Sequence, residues 1–230
     1  MKFICYLRSF DTIPKWLFTF VALLFAGCGE KTHYSPPLTE EEVKIIAEAI
    51  DVNTLQKRGK DGEALYYAPN EQTPYTGWVK WMHDNGQIDS LGQAKDGKLH
   101  GLWTSWYVNG QKMIDGNYKD GKEDGLWTDW YENGQKKAEG NYKDGIPDGL
   151  RTKWYPDGQK REEANWKDGK PLSAVVWKPN GEKCPDTNWV KGNGVYVQYN
   201  DDGTEAYRIR PEHGEDETSP TAPPEAVAPR

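Results

Sequence analysis

The sequence predicts an all-β fold: an elongated, twisted antiparallel β-meander of hairpin repeats, preceded by one short α-helix. Glycine recurs every 24 residues, at Gly77, Gly101, Gly125 and Gly149. The chain has 11 Trp and 13 Tyr, and all five Phe lie within its first 25 residues. The core of the repeats must therefore be built from Trp and Tyr, which are strand-forming side chains.

The N-terminal segment, residues 1–27, predicts an export signal. Basic residues precede an apolar run, Trp16 to Ala26, which is shorter than the ~20 residues that a membrane-spanning helix needs. The run ends Leu-Phe-Ala-Gly-Cys at residues 24–28, which resembles a bacterial lipobox. The resemblance implies cleavage before Cys28, a lipid on Cys28, and anchoring in the cell envelope, at the outer membrane or the cell surface. An uncleaved anchor, or a plain signal with a chance cysteine, is the alternative.

Three short segments follow the lipobox. Residues 28–37 predict a polar tether, and residues 38–51 predict an amphipathic helix with a capping box between Thr39 and Glu42. Residues 52–76 predict a lead-in hairpin that turns at Lys60-Asp61-Gly62.

Cys184 is the one cysteine left after Cys5 is removed and Cys28 is lipidated, so no disulfide is expected.

The main body, residues 77–210, predicts six repeats. Each unit is one hairpin with a two-residue Asn-Gly turn, as at Asn109-Gly110, and a Lys-Asp-Gly turn leads into the next unit. Six hairpins give twelve strands in one sheet, because a lone hairpin is marginal in water and must pair with its neighbours. The predicted units start near residues 77, 101, 125, 149, 172 and 194, and the last two are degraded. Residues 211–230, rich in proline and acidic residues, predict a disordered tail.

The repeated pattern resembles a known family. The unit G-x-W-x-x-W-Y-x-N-G-Q-K…G-x-Y-K-D-G-K-x-x-G is similar to the bacterial variant of the MORN repeat, and the chain resembles the antitoxin-like YwqK proteins that carry it. The resemblance covers about residues 55–205. It implies an interaction scaffold, and a toxin is the partner suggested by the antitoxin-like proteins.

The aromatic positions of the repeat are the candidate site. They form either the core of the sheet or an exposed ladder that binds a ligand such as a glycan. These positions are Trp103, Trp106, Tyr107, Trp127, Trp130, Tyr131, Trp154 and Tyr155.

Other chemistries find no support in the sequence. Each Lys-Asp-Gly turn supplies one carboxylate, too few for a calcium site, and no catalytic motif is present, so no enzyme activity, metal or cofactor is expected. The net charge of −7 argues against a nucleic-acid partner.

The favoured hypothesis is an envelope-anchored lipoprotein that acts as a non-catalytic scaffold for an unknown protein partner, with strand pairing at an open sheet edge as one mode of contact. A glycan- or peptidoglycan-binding module is the first alternative. An antitoxin or immunity-like protein that neutralises a toxin is the second.

Overall fold

The structure is a computed structural model that describes residues 37–60 and 64–210. The predicted signal, Cys28, nearly all of the tether, the Asp61-Gly62 turn and the C-terminal tail lie outside the described residues. Within the described ranges, no helix combines the length and the apolar character that crossing a membrane would require.

The first helix, α1, spans Glu40–Glu48 and begins at the predicted capping box. The Thr39 side chain accepts a hydrogen bond from the Glu42 amide, and the Glu42 carboxylate accepts one from the Thr39 amide at 2.7 Å. The helix is shorter than the predicted 38–51, because Ile50 and Asp51 pair with a strand of the sheet instead of continuing the helix. That pairing follows a C-cap at Ala49 in the extended conformation.

The described residues form seventeen short elements. After α1 come β1 (Ile50–Asp51), a 3-10 turn (Val52–Thr54), β2 (Gln56–Arg58) and β3 (Leu65–Tyr67). The repeat body contains β4 (Gly77–Met82), β5 (Ile88–Lys95), β6 (Lys98–Trp106), β7 (Lys112–Lys119), β8 (Lys122–Glu123), β9 (Gly125–Trp130), β10 (Lys136–Lys143), β11 (Ile146–Trp154), β12 (Lys160–Lys167) and β13 (Lys170–Val176). The last two strands are β14 (Tyr196–Tyr199) and β15 (Glu205–Ile209).

The repeat body forms one eleven-stranded sheet in the order β1-β4-β5-β6-β7-β9-β10-β11-β12-β13, with β8 paired to β7. Every neighbouring pair is antiparallel except β1 with β4. The predicted fold class, an all-β meander with a short helix before it, is therefore confirmed.

The two kinds of turn differ from the prediction in one respect. The Asp-Gly turns are two-residue turns with positive φ at both positions, for example 52° at Asp120 and 84° at Gly121. The Asn-Gly turns are not two-residue turns. In Val108-Asn109-Gly110 only the glycine has a positive φ, and the Gly110 amide donates to the Tyr107 carbonyl while the Tyr107 amide donates to Gln111. This pattern is a three-residue loop, and the strand pairing shifts register beside it.

The final hairpin also differs from the prediction. Strands β14 and β15 pair with each other and not with the meander, which stops at β13, so the expected single sheet of twelve hairpin strands is wrong. All four residues of β14 are buried, so this strand must be covered on both faces and cannot act as a half-exposed continuation of the sheet. The hairpin instead packs on one face of β12 and β13 around Ala164, Trp166 and Val176.

Both outer edges of the sheet have partners in the described part of the chain. On one side, β1 pairs with β4, and the Tyr75 hydroxyl donates to the Trp78 carbonyl. On the other side, the Cys184 amide donates to Val176, and the Ala174 amide donates to Trp189. Strand addition at an open edge, one contact mode expected from the sequence, would have to compete with these partners at β4 and β13.

The strand register assigns every repeat residue to one of two faces. Cross-strand partners share a face, which puts Trp103, Gly116, Trp127 and Gly140 in one row, on what we call the aromatic face. The opposite face, here the leucine face, carries the exposed Leu102, Leu126 and Leu150. The helix α1 covers the leucine face at the start of the sheet, where Ala49 packs with Leu91 and Trp106. The β14–β15 hairpin covers the aromatic face at the other end.

Candidate functional site

A continuous line of rings crosses the aromatic face. Neighbouring ring centroids are 4.9, 5.6, 5.0 and 6.5 Å apart along this line, and the ring planes meet at 63–86°. This edge-to-face packing is the arrangement that aromatic quadrupoles favour. We call this line the aromatic ladder; in order, its members are Trp81, Trp103, Tyr118, Trp127 and Tyr142.

Two glycines make room for the indoles of the ladder. A Cβ on Gly92 would lie 2.6 Å from Cε3 of Trp103, and a Cβ on Gly116 would overlap Cδ2 of Trp127. Each indole therefore lies directly on the backbone of the neighbouring strand, a position that only glycine leaves open. The glycine in the middle of each returning strand is thus part of the ladder itself.

The fourth repeat ends the ladder with an arginine. Arg151 occupies the position of Trp103 and Trp127, and its aliphatic carbons cover Gly140, where an added Cβ would lie 2.8 Å from Cγ. Beyond Arg151 the same row continues through Ala164 and Ala174, which are buried under the β14–β15 hairpin. A positive side chain thus stands between the ladder and this hairpin.

The predicted site residues do not form one group. Trp106, Trp130 and Trp154 follow Trp103 and its equivalents by three residues, which puts them on the leucine face. Trp106 is buried against α1, with 6% of its surface exposed. The ammonium of Lys112 lies 5.3 Å from the ring centre of Trp130, and the matching lysine of the next repeat covers Trp154 at 5.8 Å. Trp106 is therefore covered by the helix, and Trp130 and Trp154 each have a lysine ammonium group near the ring.

The three predicted tyrosines bond one repeat to the next. The hydroxyl of Tyr107 donates to the Trp130 carbonyl at 2.7 Å. In the same way, Tyr131 donates to the Trp154 carbonyl, 23 residues further along the chain, and Tyr155 donates to the Trp177 carbonyl, 22 residues further, both at 2.8 Å. Burial raises the pKa of each phenol, to about 12 for Tyr155, which is 1% exposed. These side chains serve as structural donors between repeats.

His83 takes the tyrosine position in the first repeat. Its Nε2 lies 3.0 Å from the Trp106 carbonyl, which is the same inter-repeat contact made by a different side chain. The change from Tyr to His at this position therefore preserves the bond between repeats.

Of the eight predicted residues, Trp103 and Trp127 belong to the ladder. The ladder also contains Trp81, Tyr118 and Tyr142, which were not predicted from the sequence as site residues. A signal for the two tyrosines was present, because both occur in the motif Gly-Asn-Tyr-Lys-Asp-Gly, at residues 116–121 and 140–145. The tyrosine lies two residues after the glycine under the indole, so the alternation of a strand places both on one face.

A buried carboxylate lies beside the end of the aromatic face. Glu162, 2% exposed, accepts hydrogen bonds from the Tyr196 hydroxyl at 2.6 Å and the Gln198 amide at 2.8 Å, and it pairs with Lys153 at 3.2 Å. Desolvation raises the pKa of this carboxyl, but Lys153 and the two hydrogen bonds outweigh it, so the net pKa is lowered. The network joins β11 and β12 to the final hairpin.

The described residues contain no group of three or more His, Cys, Asp or Glu side chains placed to hold a metal ion. Cys184 is buried, and its Sγ lies 3.1 Å from the Tyr199 hydroxyl. The geometry of the site is thus that of a packed line of edge-on rings over glycine backbone, in which Trp103 is half-buried and Trp127 is 7% exposed, with Arg151 at one end.

Comparison with known proteins agrees with this geometry. Three consecutive segments, residues 99–120, 123–144 and 147–168, match the model of the MORN repeat variant. The three segments begin in β6, β8 and β11, and each ends at the aspartate of the following Asp-Gly turn. A search of the curated proteins finds no match. MORN repeats are generally modules for interaction with proteins or membranes, and the family is generally non-catalytic.

Proposed function

From the MORN-variant repeats and their aromatic face, we propose that this chain is an exported, lipid-anchored scaffold that binds a protein partner through the aromatic ladder. The observation that carries the proposal is which part of the sheet the helix α1 and the β14–β15 hairpin cover in the described residues. The helix α1 packs on the leucine face and the β14–β15 hairpin packs beyond Arg151, and Trp103 and Tyr118 are partly exposed, whereas Trp127 is 7% exposed and packs within the ladder. Aromatic side chains of this kind are enriched at protein interfaces.

The anchor rests on the N-terminal sequence. The charged start, the short apolar run and the lipobox-like end at Cys28 support export from a bacterial cytoplasm and lipid attachment in the cell envelope, at the outer membrane or the cell surface. Two or more acyl chains hold a protein stably on a membrane. The scaffold would then need no membrane-binding surface of its own.

The geometry favours a protein over a glycan as the partner. A sugar ring stacks on the open face of an indole, but the rings of the ladder stand edge to face against one another. On the leucine face, lysine ammonium groups already lie over Trp130 and Trp154. An antitoxin-like role, supported by the resemblance to the YwqK proteins, would use the same contact surface with a toxin as the partner. A toxin gene next to this one would favour it.

The ladder can be tested with a substitution that the protein itself contains. Trp103→Arg copies Arg151, whose aliphatic stem covers the equivalent glycine, so the repeat should keep its fold. Leu126→Arg introduces the same charge on the leucine face, at a residue that is 50% exposed, and is the matched control. We expect W103R to lose the protein partner in affinity purification from detergent-solubilised envelope, and L126R to retain it. Equal retention by both folded variants would contradict the proposal, and loss of binding to purified peptidoglycan instead of a protein would favour the glycan alternative.

The anchor has its own test. Metabolic labelling with an alkyne fatty acid should label the wild-type chain, and Cys28→Ser should abolish the label. Cys184→Ser is the control, because that thiol is buried in the core and should not affect lipidation. Undiminished labelling of the Cys28 variant would refute lipidation at this residue.

A further inference from the structure

A small cavity between the end of the sheet and the final hairpin brings two buried polar groups together. We propose that this cavity binds one water molecule, which accepts a hydrogen bond from the indole N–H of Trp166 and donates one to the carboxylate of Glu162. The water links the aromatic face of β12 to the hairpin that covers it. This site does not depend on the partner surface proposed above.

The cavity arises from two changes in the repeat pattern. Along the row of cross-strand partners, Ala164 takes the position of Gly140, and Ala174 takes the position of Arg151 and of the ladder indoles. The two alanines face each other, so no large side chain of the sheet fills the space above them. The other residues that line the cavity are Glu162, Trp166, Pro171, Trp189, Tyr196 and Ile209.

The size and the lining of the cavity suit water. Its volume is about 20 Å³, and a buried water needs roughly 10–15 Å³ on the same measure. A second molecule or a larger ligand does not fit into this space. Cavities with wholly apolar walls stay dry, but this wall includes a carboxylate, so a water molecule here has polar partners.

Trp166 supplies the hydrogen-bond donor. Its side chain is 5% exposed, and its Nε1–H has no acceptor among the described residues. Other buried indoles do have one: Trp127 donates to the Asn117 carbonyl at 3.1 Å, and Trp189 donates to the Pro171 carbonyl at 3.0 Å. Since buried N–H groups are nearly always bonded, a water in the adjoining cavity is the acceptor that suits Trp166.

Glu162 supplies the hydrogen-bond acceptor. The hydrogen bonds that its side chain receives within the described chain, from Lys153, Tyr196 and Gln198, all reach one oxygen, Oε2. A carboxylate has about four lone-pair sites on its two oxygens, so Oε1 can accept a further bond. Glu162 and Trp166 occupy alternate positions of β12 on either side of Ala164, and both line the cavity.

The bound water extends the network around Glu162. The carboxylate already accepts bonds from Tyr196 at 2.6 Å and from Gln198 at 2.8 Å, both in β14 of the final hairpin. Through the water, Trp166 joins the same network. The ring that follows Tyr142 by one repeat is thereby bonded to the hairpin that closes the sheet.

The wild-type chain provides the first test. Rotating-frame water–protein NMR spectra of the isotope-labelled full chain separate contact with a bound water from hydrogen exchange, because the two cross-peaks have opposite signs. We expect a contact cross-peak between water and the indole N–H of Trp166, which Trp166→Phe assigns. The indole N–H of Trp127, bonded to a carbonyl, is the control and should show none. Lack of the peak at Trp166, or equal peaks at both indoles, would overturn the proposal.

Filling the cavity provides the second test. Ala174→Val places extra methyl groups in the cavity and leaves no room for water, so the Trp166 cross-peak should disappear while the other indole signals persist. Ala206→Val makes the same change at an exposed residue of β15 and should keep the cross-peak. A folded A174V protein that retains it would contradict the site, and if A174V does not fold, the wild-type spectrum decides.

Discussion

At the scale of single residues, the sheet contains cross-strand pairs of a tryptophan and a glycine. The indole of Trp127 lies over Gly116, and that of Trp103 over Gly92, so the largest side chain meets the residue with none. The ring fills the space that a side chain on the glycine would otherwise occupy, and edge contacts to Tyr118 complete its surroundings. The glycine in this place is needed for close approach and not for an unusual backbone angle.

Two alanine substitutions test this pairing. Gly116→Ala should lower the free energy of unfolding by about 1–3 kcal/mol, the usual cost of an overpacked site, because the rigid indole of Trp127 cannot yield to a Cβ. Gly140→Ala should cost less, because the flexible stem of Arg151 can move aside. Urea denaturation of both variants measures the difference. A larger loss for G140A than for G116A would show that the indole does not set the requirement for glycine.

At the scale of elements, each hairpin is bonded to the next at both of its ends. At one end, the glycine amide of each Asp-Gly turn donates to a carbonyl of the preceding repeat, as from Gly121 to Leu99 at 2.8 Å. At the other end, the tyrosine hydroxyls of Tyr131 and Tyr155 donate to the following repeat. A hairpin is marginally stable alone, so these bonds explain why the repeats form one sheet.

The inter-repeat hydroxyl bond can be removed without changing the ring. Tyr155→Phe deletes the donor to the Trp177 carbonyl and should destabilise the protein by about 1 kcal/mol, the usual net value of a buried hydrogen bond. Tyr67→Phe, in the hairpin before the repeats, is the control for loss of a hydroxyl. Thermal and urea unfolding followed by circular dichroism provide the measurement, and equal stability of Y155F and wild type would argue against a role for this bond.

At the scale of the whole molecule, the sheet is closed differently at its two ends. One end pairs with β1 and carries α1 on the leucine face; the other carries the β14–β15 hairpin on the aromatic face. The second closure includes the buried Glu162, whose carboxylate bonds to Tyr196 and Gln198 of the hairpin. Terminal units of a repeat array need such coverings, because they have a neighbour on one side only.

The attachment of the final hairpin should depend on pH. Folding lowers the pKa of Glu162 below its ordinary value of 4.5, so the carboxylate stabilises the fold above about pH 4.5, and this contribution is lost as the pH falls through the lower folded-state pKa. Glu162→Gln should therefore cost roughly 2 kcal/mol at pH 7, the size of a hydrogen bond to a charged group, and progressively less below pH 4.5. Urea midpoints across this pH range test the prediction.

The adjacent Glu163 provides the matched control for the pH experiment. Its side chain is 36% exposed on the opposite face and pairs with Lys160 at 2.6 Å, a surface ion pair of little energetic weight. Glu163→Gln should change stability little at either end of the pH range. A pH-independent loss in E162Q, or an equal loss in E163Q, would assign the effect to something other than the buried carboxylate.

Local sequence features determined much of this architecture. The capping box set the start of α1, Asp-Gly pairs set the two-residue turns, and the 24-residue period set the hairpin meander, because these depend on residues close together in the chain. Even the division of the indoles was available, since Trp103 and Trp106 are an odd number of positions apart in one strand.

The tertiary structure alone decided which rings meet and where the repeat ends. The contact between Tyr118 and Trp127 requires the register of β7 on β9, and that register is set by bonds between strands rather than by either strand. The final hairpin is separate from the sheet because all four residues of β14 are buried, which requires contacts on both faces of the strand. The face of β12 and β13 provides such contacts. Both features depend on the free energies of contacts between residues far apart in the chain, and a local sequence pattern does not determine those free energies.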